Sequence, residues 1–215
     1  IYIKKINFSY NKNIKIFDNL DLFLEKGKIY CLTGDSGSGK STFINILMGF
    51  IKPDTGSIEY DNINIFKNLP QWQKSISYLP QKVFLLNDSI KKNVAFSLEE
   101  KDIDVNKVIR SLEEVNLMNL FKADMRSIDS EVGDDGIKLS GGQRQRIGIA
   151  RNLYFNKKIL ILDEFTSSLD SVNESKVFEE ISKIKKDKII IMITHSKRIM
   201  EMSDEILLIK NKTIK

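Results

Sequence analysis

Gly34-Asp35-Ser36-Gly37-Ser38-Gly39-Lys40-Ser41 follows the spacing G-x-x-x-x-G-K-[ST], the pattern of a loop that cradles phosphate groups. The pattern carries weight only between a strand and a helix, and both are present. Lys28-Ile29-Tyr30-Cys31-Leu32-Thr33 is a short apolar run with the character of a buried strand. Ser41-Thr42-Phe43-Ile44-Asn45-Ile46-Leu47-Met48-Gly49 reads as a helix that ends at a glycine. The loop glycines let backbone N–H groups curl round phosphate oxygens, and the helix N-terminus adds partial positive charge. Lys40 is then placed to reach the β- and γ-phosphates of a nucleotide, and the Ser41 hydroxyl to bind Mg2+. A glycine-rich turn with a stray lysine would need neither flanking element.

Composition narrows the class. The 215 residues are 41% hydrophobic, enough for one globular unit, or one core with an inserted subdomain. The net charge of +5 comes from lysines spread along the chain. No basic block is interleaved with aromatics, so nucleic acid is not implied. A basic face beside anionic lipid headgroups fits the same charge. The single cysteine, Cys31, excludes an internal disulfide, and its place on the strand before the loop gives a buried structural thiol in a reducing compartment. The start, Ile1-Tyr2-Ile3-Lys4-Lys5, is strand-like and lacks Met, so a trimmed chain without signal peptide is expected. No apolar run approaches the ~20 residues of a membrane helix, so a chain soluble by itself is expected.

From the start, residues 1–10 alternate loosely and Asn11-Lys12-Asn13 reads as a turn. A second strand follows near Leu20 to Leu24 and turns at Lys26-Gly27 into the strand that feeds the loop. Short strands joined by tight turns suggest an antiparallel sheet ahead of the core. By spacing alone Tyr10 is a core or edge tyrosine. Pro53-Asp54-Thr55-Gly56 is a turn, and Ser57 to Tyr60 with Asn62 to Phe66 reads as a hairpin. Leu69-Pro70-Gln71-Trp72-Gln73 opens a short helix or loop, with Trp72 packed on that hairpin. A short strand from Ile76 to Leu79 ends at Pro80-Gln81.

Beyond Lys82 the pattern turns helical. Val83-Phe84-Leu85-Leu86 is exposed by position but apolar, and Asp88 is a candidate cap for a short helix through Phe96. Val105, Val108, Ile109, Leu112 and Val115 form an apolar stripe at helical spacing, a core face. Residues from roughly 83 to 157 contain no clear strand, so a helical subdomain inserted into an α/β core is expected. Leu139-Ser140-Gly141-Gly142-Gln143 opens a helix from Arg144 to about Tyr154, with Arg144, Arg146 and Arg151 facing solvent or a partner. A hydroxyl and bare N–H groups at a helix start suit an anion, and the pentapeptide alone fits an ordinary N-cap serine equally well.

Ile159-Leu160-Ile161-Leu162-Asp163-Glu164 is a buried parallel strand ending in two carboxylates. The first can hold Mg2+ through water, and the second can orient an attacking water. Ser167-Ser168-Leu169-Asp170 leads into a charged helix from about Val172 to Lys185. Lys188 to Thr194 is another buried strand and ends at His195, the single histidine. Lone histidines are mostly structural. One at the carboxyl end of a core strand sits where open α/β sheets bind ligands. A helix near Ser196 to Met202 and a strand from Glu205 to Ile209 follow.

In this order the phosphate loop, Gln81, Leu139-Ser140-Gly141-Gly142-Gln143, Asp163-Glu164, Asp170 and His195 resemble the nucleotide-binding domain of an ABC transporter, over nearly the whole chain. The resemblance implies an α/β P-loop NTPase (RecA-like) core with a parallel sheet, an N-terminal antiparallel β subdomain and the inserted helical subdomain. It implies ATP and Mg2+ as cofactors. It makes Tyr10 the adenine-stacking aromatic, places Gly34 to Thr42 on the phosphates, and gives Mg2+ to Ser41, Gln81 and Asp163. Gln81 becomes the residue that senses Mg2+ and the membrane domain, Glu164 the catalytic carboxylate, and His195 the switch histidine beside Lys40 at the γ-phosphate. It also implies a head-to-tail dimer. ATP is held between the phosphate loop of one copy and Ser140, Gly141, Gly142 and Gln143 of the other, with Asp170 communicating across the interface. The implied partners are a second such domain and a membrane domain fused upstream, at the cytoplasmic face of the inner membrane.

Glu131-Val132-Gly133-Asp134-Asp135-Gly136 resembles the loop that precedes the signature in exporters, and Tyr78 to Ile90 resembles their segment that meets the membrane domain's coupling helices. Trp72-Gln73 and Asn93-Val94-Ala95-Phe96 look most like bacterial exporters that flip lipid-linked glycans, though peptide and lipid exporters share the pattern. Phe165 and Ser168 stand where many exporters carry alanine, and Thr194-His195-Ser196 replaces the commoner Ala-His-Arg. Neither change removes a catalytic group. Three other readings fit less well. A soluble ABC ATPase of DNA repair or translation would carry a coiled coil, zinc site or tandem domain. A GTPase needs Asn-Lys-x-Asp, and Asn156-Lys157-Lys158-Ile159 and Asn211-Lys212-Thr213-Ile214 lack the acid. A decayed module would not keep Lys40, Ser41, Asp163, Glu164 and His195.

Overall fold

The computed structural model describes residues 1–11, 14–123, 127–166 and 169–214. Lys12 and Asn13 of the expected turn, and Ser167 and Ser168, lie outside the described residues. The elements in order are β1 (Tyr2–Asn11), β2 (Ile14–Phe23), β3 (Lys28–Thr33), α1 (Lys40–Leu47), β4 (Thr55–Tyr60), β5 (Ile63–Asn64), α2 (Leu69–Lys74), β6 (Ile76–Leu79), α3 (Ile90–Val94), α4 (Val105–Glu114), α5 (Met118–Ala123), α6 (Gly141–Phe155), β7 (Ile159–Asp163), α7 (Ser171–Lys183), β8 (Ile189–Ile193), α8 (Lys197–Met202), β9 (Glu205–Lys210) and β10 (Thr213–Ile214). They form two compact units. The first holds Ile1–Ile76, Lys158–Ile161 and the chain from Lys185 onward, and the second holds Ser77–Lys157 and Leu162–Ile184.

In the first unit, β3 lies between β8 and β9 and runs parallel to both, with Leu32 opposite Ile193 on one side and Leu207 on the other. All five residues of β8 and the four central residues of β3 are buried. Strands covered on both faces show no alternation, which is why these segments read as continuous apolar runs. A second, antiparallel sheet has the order β2-β1-β4-β5. Its inward residues Phe17 and Leu20 join Tyr30, Leu32, Leu47 and Ile191 in one core. The expected second strand is longer than its apolar run, beginning at Ile14 rather than Leu20. It pairs with β1 out to Asn11 through several register shifts, so pairing with β1 extends it through polar positions. Cys31 is fully buried, which pushes its thiol up to about 11. Trp72 packs on Tyr60 of the hairpin at 5.4 Å and donates its Nε1 proton to the Leu47 carbonyl at 2.8 Å.

In the second unit, α6 packs against α3 and α4. β7 begins in the first unit and ends in the second with Leu162 and Asp163. Four sequence expectations change here. Val83-Phe84-Leu85-Leu86 is not an exposed apolar stretch. Val83 and Leu85 are buried and Phe84 alone of the four is fully exposed. The arginines of α6 are not a solvent face. Arg146 is buried, and Arg151 donates to the Asn93 and Phe84 carbonyls at 2.9 and 3.0 Å with its guanidinium over the Phe96 ring. Backbone carbonyls and a ring satisfy Arg151 inside the unit, and burial lowers its guanidinium to about 10. The short helix is capped by Ser89, not Asp88, because the Ser89 hydroxyl faces the Lys92 N–H at 3.3 Å. Val105, the first residue of α4, is exposed, while Val108, Leu112 and Val115 are core.

Gly56, the second residue of β4, has φ +94°, and a Cβ there would meet the Lys4 and Lys5 carbonyl oxygens at 2.5 Å. Both atoms are backbone and cannot swing away. Gly56→Ala is expected to cost about 2 kcal/mol or more, read as a lower thermal midpoint. An unchanged midpoint would mean that the start of β4 relaxes freely.

Candidate active site

The phosphate loop joins β3 to α1 in the first unit. Gly34, at φ +149°, backs onto β9, where a Cβ would lie 2.8 Å from the Ile209 carbonyl oxygen. Gly39, at φ +110°, is the N-cap of α1 and makes no side-chain cap. The first N–H groups of α1 therefore have no side-chain acceptor at the cap, as an anion site requires. Lys40 folds back over the loop and donates to the Gly34 and Asp35 carbonyls at 2.6 and 3.0 Å. The Ser38 hydroxyl is buried without a hydrogen-bond partner among the described residues. A buried orphan donor beside a folded-back lysine fits a phosphate that supplies the missing acceptors.

Two other expected residues meet this loop within the same unit. Tyr10 is 57% exposed, so of the core and edge readings from spacing the core one is wrong. Its ring stands edge-on to Phe8 at 5.0 Å, and its hydroxyl lies 3.1 Å from Thr42 Oγ1. An open aromatic face held beside the start of α1 is available for stacking. His195 is exposed and lies two residues beyond Ile193, just as Gly34 lies two beyond Leu32, the partner of Ile193 in the parallel register. The histidine and the loop thus leave neighbouring strand ends on the same side of the sheet.

The second unit holds the acids. Asp163 is the last residue of β7, and Glu164 follows at φ +44°. A left-handed conformation at a glutamate is strained backbone of the kind that concentrates at functional positions. The Gln81 side-chain amide donates to a carboxylate oxygen of Glu164. The Tyr78 hydroxyl donates to Asp163 Oδ2 at 3.1 Å. Burial, and then the Asp163 carboxylate, push the Tyr78 phenol up to about 12. Tyr78 was not legible as a site residue. Its one signal is an outward, polar-tipped aromatic three positions before Gln81.

Ser140 is the N-cap of α6. Its hydroxyl accepts from the Gln143 N–H at 3.2 Å, while the Gln143 side chain accepts from the Ser140 N–H at 3.0 Å. This capping box leaves Gly141 and Gly142 as the bare first turn. Both readings of the pentapeptide hold locally, since a capped helix start still presents N–H groups. Asp170 caps α7 through the Val172 and Asn173 N–H groups at 3.0 and 2.9 Å. The Asn173 N–H, followed by its side chain, holds the carboxyl below the usual range. Arg146 lies close enough to Asp170 that its carboxylate opposes the lowering of the guanidinium by burial. Ser41 in the first unit offers a hydroxyl oxygen, and Gln81 and Asp163 in the second offer amide and carboxylate oxygens, each of the hard kind that a cation such as Mg2+ takes.

A family model described as ABC transporter matches residues 17–167. The chain belongs to the ABC transporter family. It is 37% identical over 214 residues to the ATP-dependent lipid A-core flippase of Pasteurella multocida, covering 99% of this chain and 37% of that protein. It is 36% identical over 217 residues to the ABC transporter B family member 2 of Dictyostelium discoideum, covering 100% of this chain and 15% of that protein. Among solved structures, a bacterial Atm1-family ABC exporter with ATP bound superposes with a TM-score of 0.90 at 28% identity, over 99% of this chain and 37% of that one. The chain is therefore an ABC transporter ATPase domain with the P-loop NTPase fold, and it spans 37% of the flippase and of the exporter. No described helix is long and apolar enough to cross a membrane.

The capping box makes a local prediction. Ser140→Ala removes the hydroxyl that caps the Gln143 N–H and is expected to cost about 1 kcal/mol of stability, measured by denaturant unfolding. A change below a few tenths would mean that α6 starts without help from this pair.

Proposed function

We propose that this domain binds and hydrolyses ATP between two copies arranged head to tail, and that the cycle drives export of a substrate across a membrane. The observation that carries the reading is the phosphate loop with Lys40 folded onto its own carbonyls. On nucleotide binding Lys40 leaves those carbonyls for the phosphate oxygens, Tyr10 stacks on the base, and the N–H groups of α1 take the rest of the negative charge. The Gly34, Asp35, Ser36, Gly37, Ser38, Gly39, Ser41 and Thr42 positions line that path. Ser41, Asp163 and Gln81 would hold Mg2+, which would supply charge neutralisation for phosphoryl transfer. Glu164 orients a water in line with the γ-phosphorus and accepts its proton, and His195 contacts the γ-phosphate from the neighbouring strand end.

The Gln81 amide nitrogen donates to Glu164, which leaves its carbonyl oxygen as the atom that would face the metal. The facing copy supplies Ser140, Gly141, Gly142 and Gln143 as a second anion-binding helix start, and Asp170 lies at the base of the next helix. Two helix ends that both need the γ-phosphate are joined while it is present and separate once it is cleaved, a population shift that attached membrane domains can use.

A membrane domain fused upstream is supported by the greater length of the flippase and exporter relatives. The ATPase domain would then sit at the cytoplasmic face of the inner membrane, with exposed Phe84 among the residues that meet the membrane domain. A lipid-linked glycan as cargo rests on the flippase name of a relative and on the sequence flanking Gln81. Peptide or other lipid cargo would use the same ATPase.

Glu164→Gln keeps the shape and hydrogen bonds of the side chain but loses the base. It is expected to lower hydrolysis about 100-fold or more and to accumulate an ATP-bound dimer, seen by light scattering with and without Mg-ATP. Lys40→Ala is expected to lose nucleotide binding or turnover. Full hydrolysis by Glu164→Gln would remove Glu164 from its assigned role.

A further inference from the structure

Strand β6 shows two faces. Ser77 bonds to the Asn152 side chain of α6, and Leu79 lies against Gly148 of the same helix. Side chains alternate along a strand, so Tyr78 stands on the opposite face, where its hydroxyl reaches Asp163 Oδ2 at 3.1 Å. Three residues on, Gln81 donates to Glu164. One short segment therefore carries a donor for each of the two adjacent acids. Tyr78 remains 38% exposed, so its hydroxyl contributes little to packing, yet it is directed onto a charged oxygen.

We infer that Tyr78 is a positioning residue for the reaction, fixing the carboxylate of Asp163 in the orientation that receives Mg2+. A hydrogen bond on Oδ2 sets the plane of the carboxylate, and with it the direction of the remaining lone pairs. Hydrogen bonds to charged groups are the strong ones, and an outer partner that orients a metal-binding oxygen tunes affinity without touching the ion. The phenol donates and keeps its proton. It neither binds the ion nor takes part in proton transfer. The inference rests on the reading of Asp163 as a metal carboxylate, and the test separates the two.

The test uses the full 215-residue chain and isothermal titration of ATP, once with excess Mg2+ and once with excess EDTA. The ratio of the two affinities is the metal-dependent gain. Tyr78→Phe keeps the ring and is expected to reduce that gain roughly three- to tenfold, with the EDTA affinity unchanged. In an Asp163→Asn background the same substitution is expected to change nothing more, since its effect passes through that carboxylate. Thermal unfolding of each variant confirms that the fold is kept. A full metal-dependent gain in Tyr78→Phe, with Asp163→Asn impaired, would overturn the inference and leave the metal reading standing. Equal losses with Mg2+ and with EDTA, or a further loss in the Asp163→Asn background, would also overturn it. A full gain in Asp163→Asn itself would overturn the metal reading, and the inference with it.

Discussion

Strand β3 is hydrogen-bonded on both edges, to β8 and to β9, and its central residues are fully buried. The chain leaving it has no room to continue straight. Gly34 lies so close to the Ile209 carbonyl that a side chain would not fit, and the backbone turns through glycines into α1. The N–H groups that result point where a phosphate can be received. The parallel register of β8 then brings His195 out beside the loop. The position of β3 in its sheet therefore sets both the cradle and the histidine.

A second constraint operates around the acids. A carboxylate at the tip of a buried strand needs hydrogen-bond donors to be held in one place. Here they come from the segment that also contains Gln81, not from β7 itself. Glu164 adopts a left-handed backbone while accepting from Gln81. The arginines of α6 follow a related logic. Arg151 satisfies its guanidinium with carbonyls at Phe84 and Asn93, so the helix that begins at Ser140 is tied to the residues that follow Gln81.

Much of this was legible in the sequence because it is local. Strand, glycine loop and helix follow one another without interruption, and the run from Ile159 to Glu164 states its own burial. What depended on distant partners was not legible. Tyr10 reads as an edge tyrosine by spacing, and only the pairing of β1 with β2, which brings Phe8 opposite Phe17, leaves its ring open beside Thr42. Val83 and Leu85 look like a docking patch until Gly148 of α6 lets Val83 pack on the helix and Gly136 gives room to Leu85. Arg146 and Arg151 look like a solvent face because sequence does not reveal which carbonyls will lie within reach. Tyr78 gave almost no signal, since a single phenol matters only once a carboxylate is placed opposite it.

The central claim is that hydrolysis needs two copies, because the residues that would complete each phosphate site belong to the start of α6 in a facing chain. The most direct measurement is the ATPase rate per molecule as a function of protein concentration. The account predicts a rate that climbs with concentration and levels off as pairs saturate. A rate per molecule that is already substantial and stays flat over the whole range, with the protein monomeric throughout, would contradict it.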